Sequence, residues 1–182
     1  MFRTLLEKQD YSMGGKITPI TVAFYIVPLI NAMIRVGSMD EKERLYLSFV
    51  MPEVMVDCHK RGAKGTKERL CIESTRECVN AKSHQDKMKE QMVEKLEAKI
   101  FKKDLLSNQV LFIRLEDDDV FPAELNGLIA MSIASKYKRP TIVARLNDEG
   151  YIRGSARAPG HIELSSFKDF LNQTNLFEYT LG

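Results

Sequence analysis

Residues 141–157 read Thr-Ile-Val-Ala-Arg-Leu-Asn-Asp-Glu-Gly-Tyr-Ile-Arg-Gly-Ser-Ala-Arg. The first six residues form an apolar run rich in β-branched side chains, which is typical of a buried strand. Residues 147–150 are a strong turn signal, and residues 151–157 predict a strand that returns antiparallel to the first. This hairpin is the starting point for assigning the chain to the α/β class.

The segments on either side of the hairpin complete an α/β order. They are, in sequence, a buried strand (110–115), an acidic loop of solvated turn residues (116–119), a helix (123–137) that ends at Lys138-Arg139-Pro140, and a last helix (167–173) capped by Ser165. Strand, helix, strand, strand and helix in this order predict a mixed β-sheet flanked by helices.

The first hundred residues carry helical patterns instead. The predicted elements are a helix (2–9), a loop (10–18), a helix that starts at Thr18-Pro19 and breaks or kinks near Val27-Pro28, a helix (38–49) opened by a capping box of Ser38 and Glu41, an irregular basic stretch (51–66) and a long helix (68–103) free of glycine and proline. We therefore predict a helical segment (1–66), a connector helix (67–104) and an α/β domain (105–182).

Composition limits the function classes. Hydrophobic residues make up 44% and charged residues 29% of 182 residues, and the formal net charge is +2. Any nucleic-acid site must then be a local patch. Three cysteines without a CxxC pair predict free thiols. The apolar stretch 20–34 contains Pro28 and Asn31, and we read it as too short and interrupted to span a bilayer, so we expect a cytoplasmic chain with no membrane partner.

The most informative motif is Arg153-Gly154-Ser155-Ala156-Arg157. Side chains alternate along a strand, so Arg153, Ser155 and Arg157 should share one face. Gly154 and Ala156 would leave the backbone open to a close approach. Two guanidinium groups and a hydroxyl suit phosphate oxygens, and the motif predicts a nucleic-acid contact. Exposed arginines on a strand are the alternative.

These residues carry a family resemblance. Gly127-Leu128-Ile129-Ala130, Tyr137-Lys138-Arg139-Pro140 and the arginine motif resemble, in order, the DHH-associated C-terminal domain of RecJ-type single-strand DNA exonucleases. Several positions depart from the family pattern: Ala156 stands for a glycine, Ala158 for a serine, and Glu124-Leu125 for Trp-His. The resemblance also implies that the domain continues beyond residue 182.

A second segment resembles the stretch that precedes this domain in the family. Pro28, Ile30, Asn31, Ala32 and Arg35 match the pattern, whereas Leu29 and Ile34 replace an arginine and a glycine. Asn31 and Arg35 are four residues apart and can share a helix face. We expect both to assist nucleic-acid binding, with Arg35 as a phosphate contact. By itself, the segment also fits a buried, kinked helix.

The resemblance implies a division of labour. In the family, two divalent ions (Mn²⁺ or Mg²⁺), bound by an N-terminal Asp-His-His domain, drive hydrolysis. His59, His84 and His161 are not adjacent and none is in an Asp-His-His context. We therefore expect no catalytic residues, metal or cofactor in this chain, and two partners: single-stranded nucleic acid, and the missing N-terminal domain of the same protein.

Other functions stay open at this point. The parent protein could act on short oligonucleotides or cyclic dinucleotides, or the chain could be a binding module with no catalytic partner. A relationship to the C-terminal domain of alanyl-tRNA synthetases is disfavoured by the matched segment that contains Asn31 and Arg35. The RecJ-type resemblance favours the substrate-holding part of a 5′-to-3′ single-strand DNA exonuclease.

Overall fold

The computed structural model describes residues 1–63, 65–160, 166–178 and 180. They form two compact units, Met1–Lys87 and Met88–Gly182. The first unit is mainly helical, and the second contains a mixed three-stranded sheet with helices, so the predicted α/β class is confirmed. The boundaries predicted at residues 66 and 104 stay a prediction about domain organisation.

Unit 1 is built from helices and a small hairpin. Its elements are α1 (Phe2–Met13), α2 (Pro19–Thr21), a π-helical turn (Val22–Ile26), α3 (Val27–Val36), α4 (Met39–Val50), β1 (Met55–Asp57), β2 (Lys67–Arg69) and the first part of α5 (Leu70–Lys102). Its core contains Leu5, Ile26, Ala32, Met33 and Cys78, none of which is exposed. The predicted capping box is confirmed: Ser38 Oγ accepts from Glu41 N–H, and Glu41 Oε2 accepts from Ser38 N–H.

Of the predicted break or kink at Val27-Pro28, the break is wrong, because helical structure is continuous from Pro19 to Val36. Proline has no N–H for the carbonyl four residues earlier, and its ring crowds that carbonyl. The π-helical turn Val22–Ile26 lies immediately before this position and accommodates the proline by widening the helix locally. The helix therefore changes its hydrogen-bond pattern rather than ending.

This continuous segment, Pro19–Val36, is long and apolar enough to cross a membrane by length and composition alone. The interpretation of this stretch as too short and interrupted to span a bilayer was therefore wrong, since the helix continues through Pro28 and Asn31. Helices inside folded proteins often meet the same criterion. In unit 1, Leu29 of this helix is also part of the core, so one side of the helix has a packing role.

Two further expectations for unit 1 are corrected. Residues 51–66, predicted to be irregular, contain β1, which pairs antiparallel with β2 from Met55↔Arg69 to Asp57↔Lys67. Each strand has only three residues, too few to show an alternating pattern. In addition, α1 extends to Met13, beyond the predicted end at residue 9, and stops at Gly14 in the left-handed conformation.

Unit 2 surrounds a sheet of three strands in the order β3-β4-β5. Its elements are the second part of α5, β3 (Leu111–Leu115), a 3₁₀ turn (Ala123–Leu125), α6 (Asn126–Tyr137), β4 (Thr141–Leu146), β5 (Ile152–Arg157) and α7 (Phe167–Gln173). β3 and β4 are parallel and β4 and β5 antiparallel, which confirms the predicted hairpin. The cap of α7 is Ser166, whose Oγ accepts from Asp169 N–H, rather than Ser165, which lies outside the described residues.

The sheet of unit 2 is covered on both faces. On one face, α6 contacts β4 and β5. On the other face, Leu171 of α7 packs with Ile142, Ala144 and Ala156. Residues 141–144 are accordingly buried in succession rather than alternately. The central strand is therefore fixed from both sides, and the side chains of β5 are divided between α6 and α7.

Candidate nucleic-acid interface

The odd-numbered residues of the arginine motif face α6, as alternation predicts. A Cβ atom built on Gly127, at the start of α6, would lie 2.9 Å from Arg157 Nη2 and 3.7 Å from Ser155 Oγ. Ala156 points the other way, toward Leu171. The structure thus brings Ser155 and Arg157 together over the first turn of α6, and Gly127 leaves the space that the guanidinium occupies.

The structure explains why residue 154 is a glycine, which the sequence alone did not reveal. A Cβ atom at this position would lie 2.1 Å from the carbonyl oxygen of Val143 and 2.5 Å from Cα of Ala144. Both contacts are with the backbone of β4, which cannot move away without disturbing the sheet. β5 can therefore take its observed place beside β4 only with glycine at this position.

A cleft of about 350 Å³ lies between the motif and the beginning of α6. It is lined by Ala123, Asn126, Arg145, Leu146, Asn147, Arg153, Gly154 and Ser155. α6 has no side-chain cap at its N-terminus. The Asn126 N–H already donates to the carbonyl oxygen of Ala123 in the preceding 3₁₀ turn. The positive end of the helix dipole still favours an anion at such a position. The cleft is thus lined by two arginines and lies at a helix end that attracts negative charge.

Arg145 is a cleft residue that the sequence analysis did not single out. In the antiparallel ladder it lies directly opposite Arg153, and opposed residues share a face. Two like charges in this position destabilise a sheet unless negative charge compensates them. Arg153 contacts Glu149 at 3.2 Å, with both side chains exposed, and Arg145 donates to the carbonyl oxygen of Asp119. The register implied by the turn at 147–150 could have identified this pair.

Asn126 supplies an unsatisfied polar group at the cleft. It is the first residue of α6, its exposed fraction is 8%, and its Oδ1 has no hydrogen-bond partner among the described residues. The Nε of Arg145 is likewise buried without a partner there. Buried polar groups in folded proteins are usually satisfied, so the Asn126 Oδ1 can accept from, and the Arg145 Nε can donate to, a water or ligand in the cleft.

The two site residues predicted in unit 1 lie on α3. Asn31 is exposed. Arg35 is half-buried, and its Nη1 donates over a long 3.5 Å to Oε1 of Gln85, which is itself buried. Gln85 therefore limits where the Arg35 side chain can point. The roles of Asn31 and Arg35 in binding stay predictions, as do those of Arg153, Gly154, Ser155 and Arg157.

The acidic loop 116–119 is not a set of solvated turn residues throughout. Asp119 is fully buried and binds the ammonium groups of Lys95 at 2.9 Å and Lys99 at 2.6 Å. Burial opposes ionisation of Asp119, but the Glu116 backbone N–H, Lys99 and Lys95 outweigh it and lower its pKa to about 2. Two cations already neutralise this carboxylate, so the loop is an ion-pair cluster and not a vacant metal site.

The potential metal ligands of unit 1 include carboxylates that are already paired with arginines. Cys58, Glu68 and Glu73 form one such group, and His59, Glu73 and Glu77 another. Arg76 binds both Glu68 and Glu73, and Arg44 binds Glu77. The Arg76 hydrogen bond is the main cause that lowers the pKa of Glu68 to about 2. A metal ion would have to displace two arginines, and these residues do not fit a preformed metal centre.

The chain matches no protein-family model. It is 32% identical over 186 residues to a Bacillus subtilis (strain 168) protein that carries the name SPbeta prophage-derived single-strand DNA-specific exonuclease YorK. The Bacillus phage SPbeta protein named as a single-strand DNA-specific exonuclease gives the same identity over the same length. Both alignments include all of this chain and 32% of the relative. The chain therefore spans about a third of the length of these proteins.

Solved structures support the fold. RecJ of Thermus thermophilus, in complex with Mg²⁺, matches 95% of this chain with a TM-score of 0.55 and 17% identity, over 23% of its own length. Exonuclease RecJ bound to manganese matches 87% of the chain with a TM-score of 0.53 and 18% identity, over 34% of its length. The resemblance to RecJ-type proteins predicted from the sequence motifs is therefore confirmed.

Proposed function

We propose that this chain, which is related over its full length to RecJ-type single-strand DNA-specific exonucleases, is the part of such a protein that holds the substrate. It would bind phosphates of single-stranded DNA while a separate, metal-bearing DHH domain cleaves the phosphodiester bond. Mn²⁺ or Mg²⁺ would belong to that domain. The names of the relatives support DNA as the substrate, since both specify single-strand DNA.

The observation that carries this proposal is the pairing of Arg145 with Arg153 beside the start of α6. A phosphate in the cleft would receive charge-assisted hydrogen bonds from guanidinium groups and from the Ser155 hydroxyl. It would also relieve the repulsion between the two arginines. Arg157, held above Gly127, could donate to a neighbouring phosphate oxygen or to the next phosphate along the strand.

The arrangement explains binding without catalysis. Phosphate contacts position a strand but do not read its sequence, which suits an exonuclease that must accept every nucleotide. Among the described residues, the cleft lining offers no carboxylate, cysteine or histidine that could act as nucleophile or general base. The groups present are cations, amides and a hydroxyl, which can orient a phosphate and neutralise part of its charge.

The proposal is tested by fluorescence anisotropy with a labelled single-stranded oligonucleotide over a range of salt concentrations. We expect binding in the micromolar range or weaker, with the logarithm of affinity falling linearly with the logarithm of salt. Arg153→Ala with Arg157→Ala should weaken binding about tenfold or more and reduce the salt slope by about 1.4, since each phosphate contact on a single strand contributes about 0.7.

The matched control is Arg114→Ala with Lys168→Ala. Both side chains are exposed in unit 2, neither has an ion-pair partner within the described residues, and neither lines the cleft. This control removes the same charge and should leave affinity within about twofold of the unaltered chain, as expected for surface charges. Equal affinities for the two double variants, or no binding by the unaltered chain, would rule out the cleft as the phosphate site.

A further inference from the structure

The hairpin formed by β1 and β2 carries a local concentration of positive charge outside the cleft. Between Cys58 and Lys67 the sequence contains Lys60, Arg61, Lys64 and Lys67 but no acidic residue. Lys60, Arg61 and Lys67 are exposed. The chain as a whole has a net charge of only +2, so four cations within ten residues are a marked local excess.

Three of these cations, Lys60, Arg61 and Lys67, lie in the part of the chain that the structure describes. Lys60, Arg61 and Lys67 form no ion pair within 4.0 Å among the residues that the structure describes, even though Asp57 lies opposite Lys67 in the ladder. The neighbouring carboxylates are used at the base of the hairpin instead, where Glu68 and Glu73 bind Arg76. The acidic groups therefore stabilise the base, and none of the described carboxylates pairs with Lys60, Arg61 or Lys67.

Backbone hydrogen bonds and glycine conformations order the described residues of the hairpin tip, 58–63 and 65–67. The Cys58 N–H donates to the carbonyl oxygen of Thr66 at 3.0 Å, and the Ala63 N–H donates to that of Lys60 at 3.0 Å. Gly62 and Gly65 both have φ values of +84°, which favour glycine over other residues. Because these bonds fix the backbone, less conformational entropy is lost when a partner binds the cations.

The composition of the tip distinguishes among partners. Residues 58–67 contain no phenylalanine, tyrosine, tryptophan or large aliphatic side chain, and the cores of protein interfaces depend on such residues and are poor in lysine. A membrane-binding loop would likewise present apolar side chains to the bilayer. Lysine and arginine on a small, polar loop are typical of contacts with a phosphate backbone.

We propose that the β1–β2 hairpin is a second nucleic-acid contact, which binds the sugar–phosphate backbone through Lys60, Arg61 and Lys67. This contact lies in unit 1 and uses no residue of the cleft in unit 2, so it goes beyond the function proposed above and can be tested separately. It carries no base-edge specificity and raises affinity for any nucleic-acid strand that extends to the hairpin.

The test compares two triple variants. The hairpin variant combines Lys60→Ala, Arg61→Ala and Lys67→Ala, and the control variant replaces Lys8, Lys16 and Lys87 by alanine. All six side chains are exposed in unit 1, and each variant loses three positive charges. Thermal unfolding confirms that both variants fold. In the anisotropy assay the hairpin variant should bind about tenfold more weakly, with a salt slope lower by about 2, and the control should bind like the unaltered chain. Lys60→Arg with Lys67→Arg should retain binding, because the charge is kept.

The outcomes separate this inference from the proposed function. If the hairpin variant binds normally and the cleft variant binds weakly, the hairpin contact is overturned and the cleft is supported. If the hairpin variant binds weakly and the cleft variant binds normally, the cleft is overturned as the phosphate site and the hairpin contact is supported. Failure of the unaltered chain to bind overturns both. Hairpin-dependent binding that is stronger for poly-glutamate of matched charge, or for anionic lipid vesicles, than for the oligonucleotide also overturns the nucleic-acid assignment.

Discussion

Two glycines near the arginine motif have different structural reasons. Gly154 lies so close to β4 that a side chain would overlap backbone atoms of Val143 and Ala144. The closest neighbour of Gly127 is instead the far end of the Arg157 side chain, which can move. The first glycine is thus needed for the sheet, and the second leaves room for the Arg157 guanidinium.

Substitution of these two glycines should have different effects on the free energy of unfolding. We expect Gly154→Ala to lower the free energy of unfolding by about 1–3 kcal/mol, as overpacking usually does, because β5 must move away from β4. Gly127→Ala, its matched control, should stay within about 1 kcal/mol of the unaltered chain, since alanine favours a helix. Urea denaturation measures both values. A Gly154→Ala chain as stable as the Gly127→Ala chain would contradict the close approach of the strands.

At the level of single residues, the sequence identified the site in part. Alternation along a strand was enough to place Ser155 and Arg157 on one face. Arg145 and Asn126 were missed because their position depends on strand register and on where α6 begins. Neither is visible in a local motif: an arginine at the end of an apolar strand and an asparagine at a helix start both have common structural explanations.

At the level of elements, α5 supplies a ladder of lysines to the loop after β3. Lys95 and Lys99 of α5, and Lys103 directly after its last residue, are spaced four residues apart and therefore lie along one side. Lys99 and Lys103 each bind Glu116 at 3.1 Å, and Lys95 and Lys99 bind the buried Asp119. The ladder connects two parts of unit 2 that are distant in sequence, and Asp119 is its least exposed member.

Removal of the Asp119 charge should therefore cost stability in a pH-dependent way. Its pKa is lowered from 3.8 to about 2, so the ionised carboxylate stabilises the fold above about pH 4, and this contribution disappears as the pH falls through about 2. Asp119→Asn should lower the free energy of unfolding at pH 7 by about 2 kcal/mol or more. Urea denaturation should show that the difference from the unaltered chain shrinks between pH 4 and pH 2.

Asp118→Asn is the control for this experiment. The Asp118 side chain is 69% exposed and contacts Lys95 at 3.0 Å, and exposed ion pairs contribute about 0–1 kcal/mol. This variant should be almost as stable as the unaltered chain at every pH. If the two variants lose the same stability, or if the Asp119→Asn effect does not change with pH, the buried ion-pair cluster does not have the role described.

Elements with strong local signals were predictable and weakly marked ones were not. The capping box fixed the start of α4, and the turn at 147–150 predicted the β4–β5 hairpin. The β1–β2 hairpin was missed because three-residue strands show no periodicity. The π-helical turn was missed because a proline usually ends a helix, and only tertiary packing of Ile26 and its neighbours makes the continuous helix favourable.

At the level of the whole molecule, the chain presents candidate phosphate contacts in each of its two units. The cleft belongs to unit 2, and the basic hairpin and Arg35 belong to unit 1. Carboxylates that could have served as metal ligands are instead bound to lysine or arginine in both units.

The purified chain should therefore show no metal-dependent nuclease activity. We expect a labelled single-stranded oligonucleotide to stay intact during incubation with Mn²⁺ or Mg²⁺, because the two-metal chemistry requires ligands that the described part of this chain does not provide in preformed geometry. Denaturing gel electrophoresis measures the product, and a RecJ preparation assayed in the same buffer is the positive control. Cleavage that copurifies with the chain and is abolished by chelation would contradict the proposed division of labour.

The three cysteines are free and differ in accessibility. Cys71 and Cys78 are 2% and 0% exposed, burial raises the pKa of Cys78 to about 12, and Cys58 is half-buried. Thiolates are the reactive form, so a maleimide dye should modify Cys58 before the other two. Cys58 lies two residues before Lys60, which means that the native sequence already contains an attachment point for a fluorescent reporter at the basic hairpin.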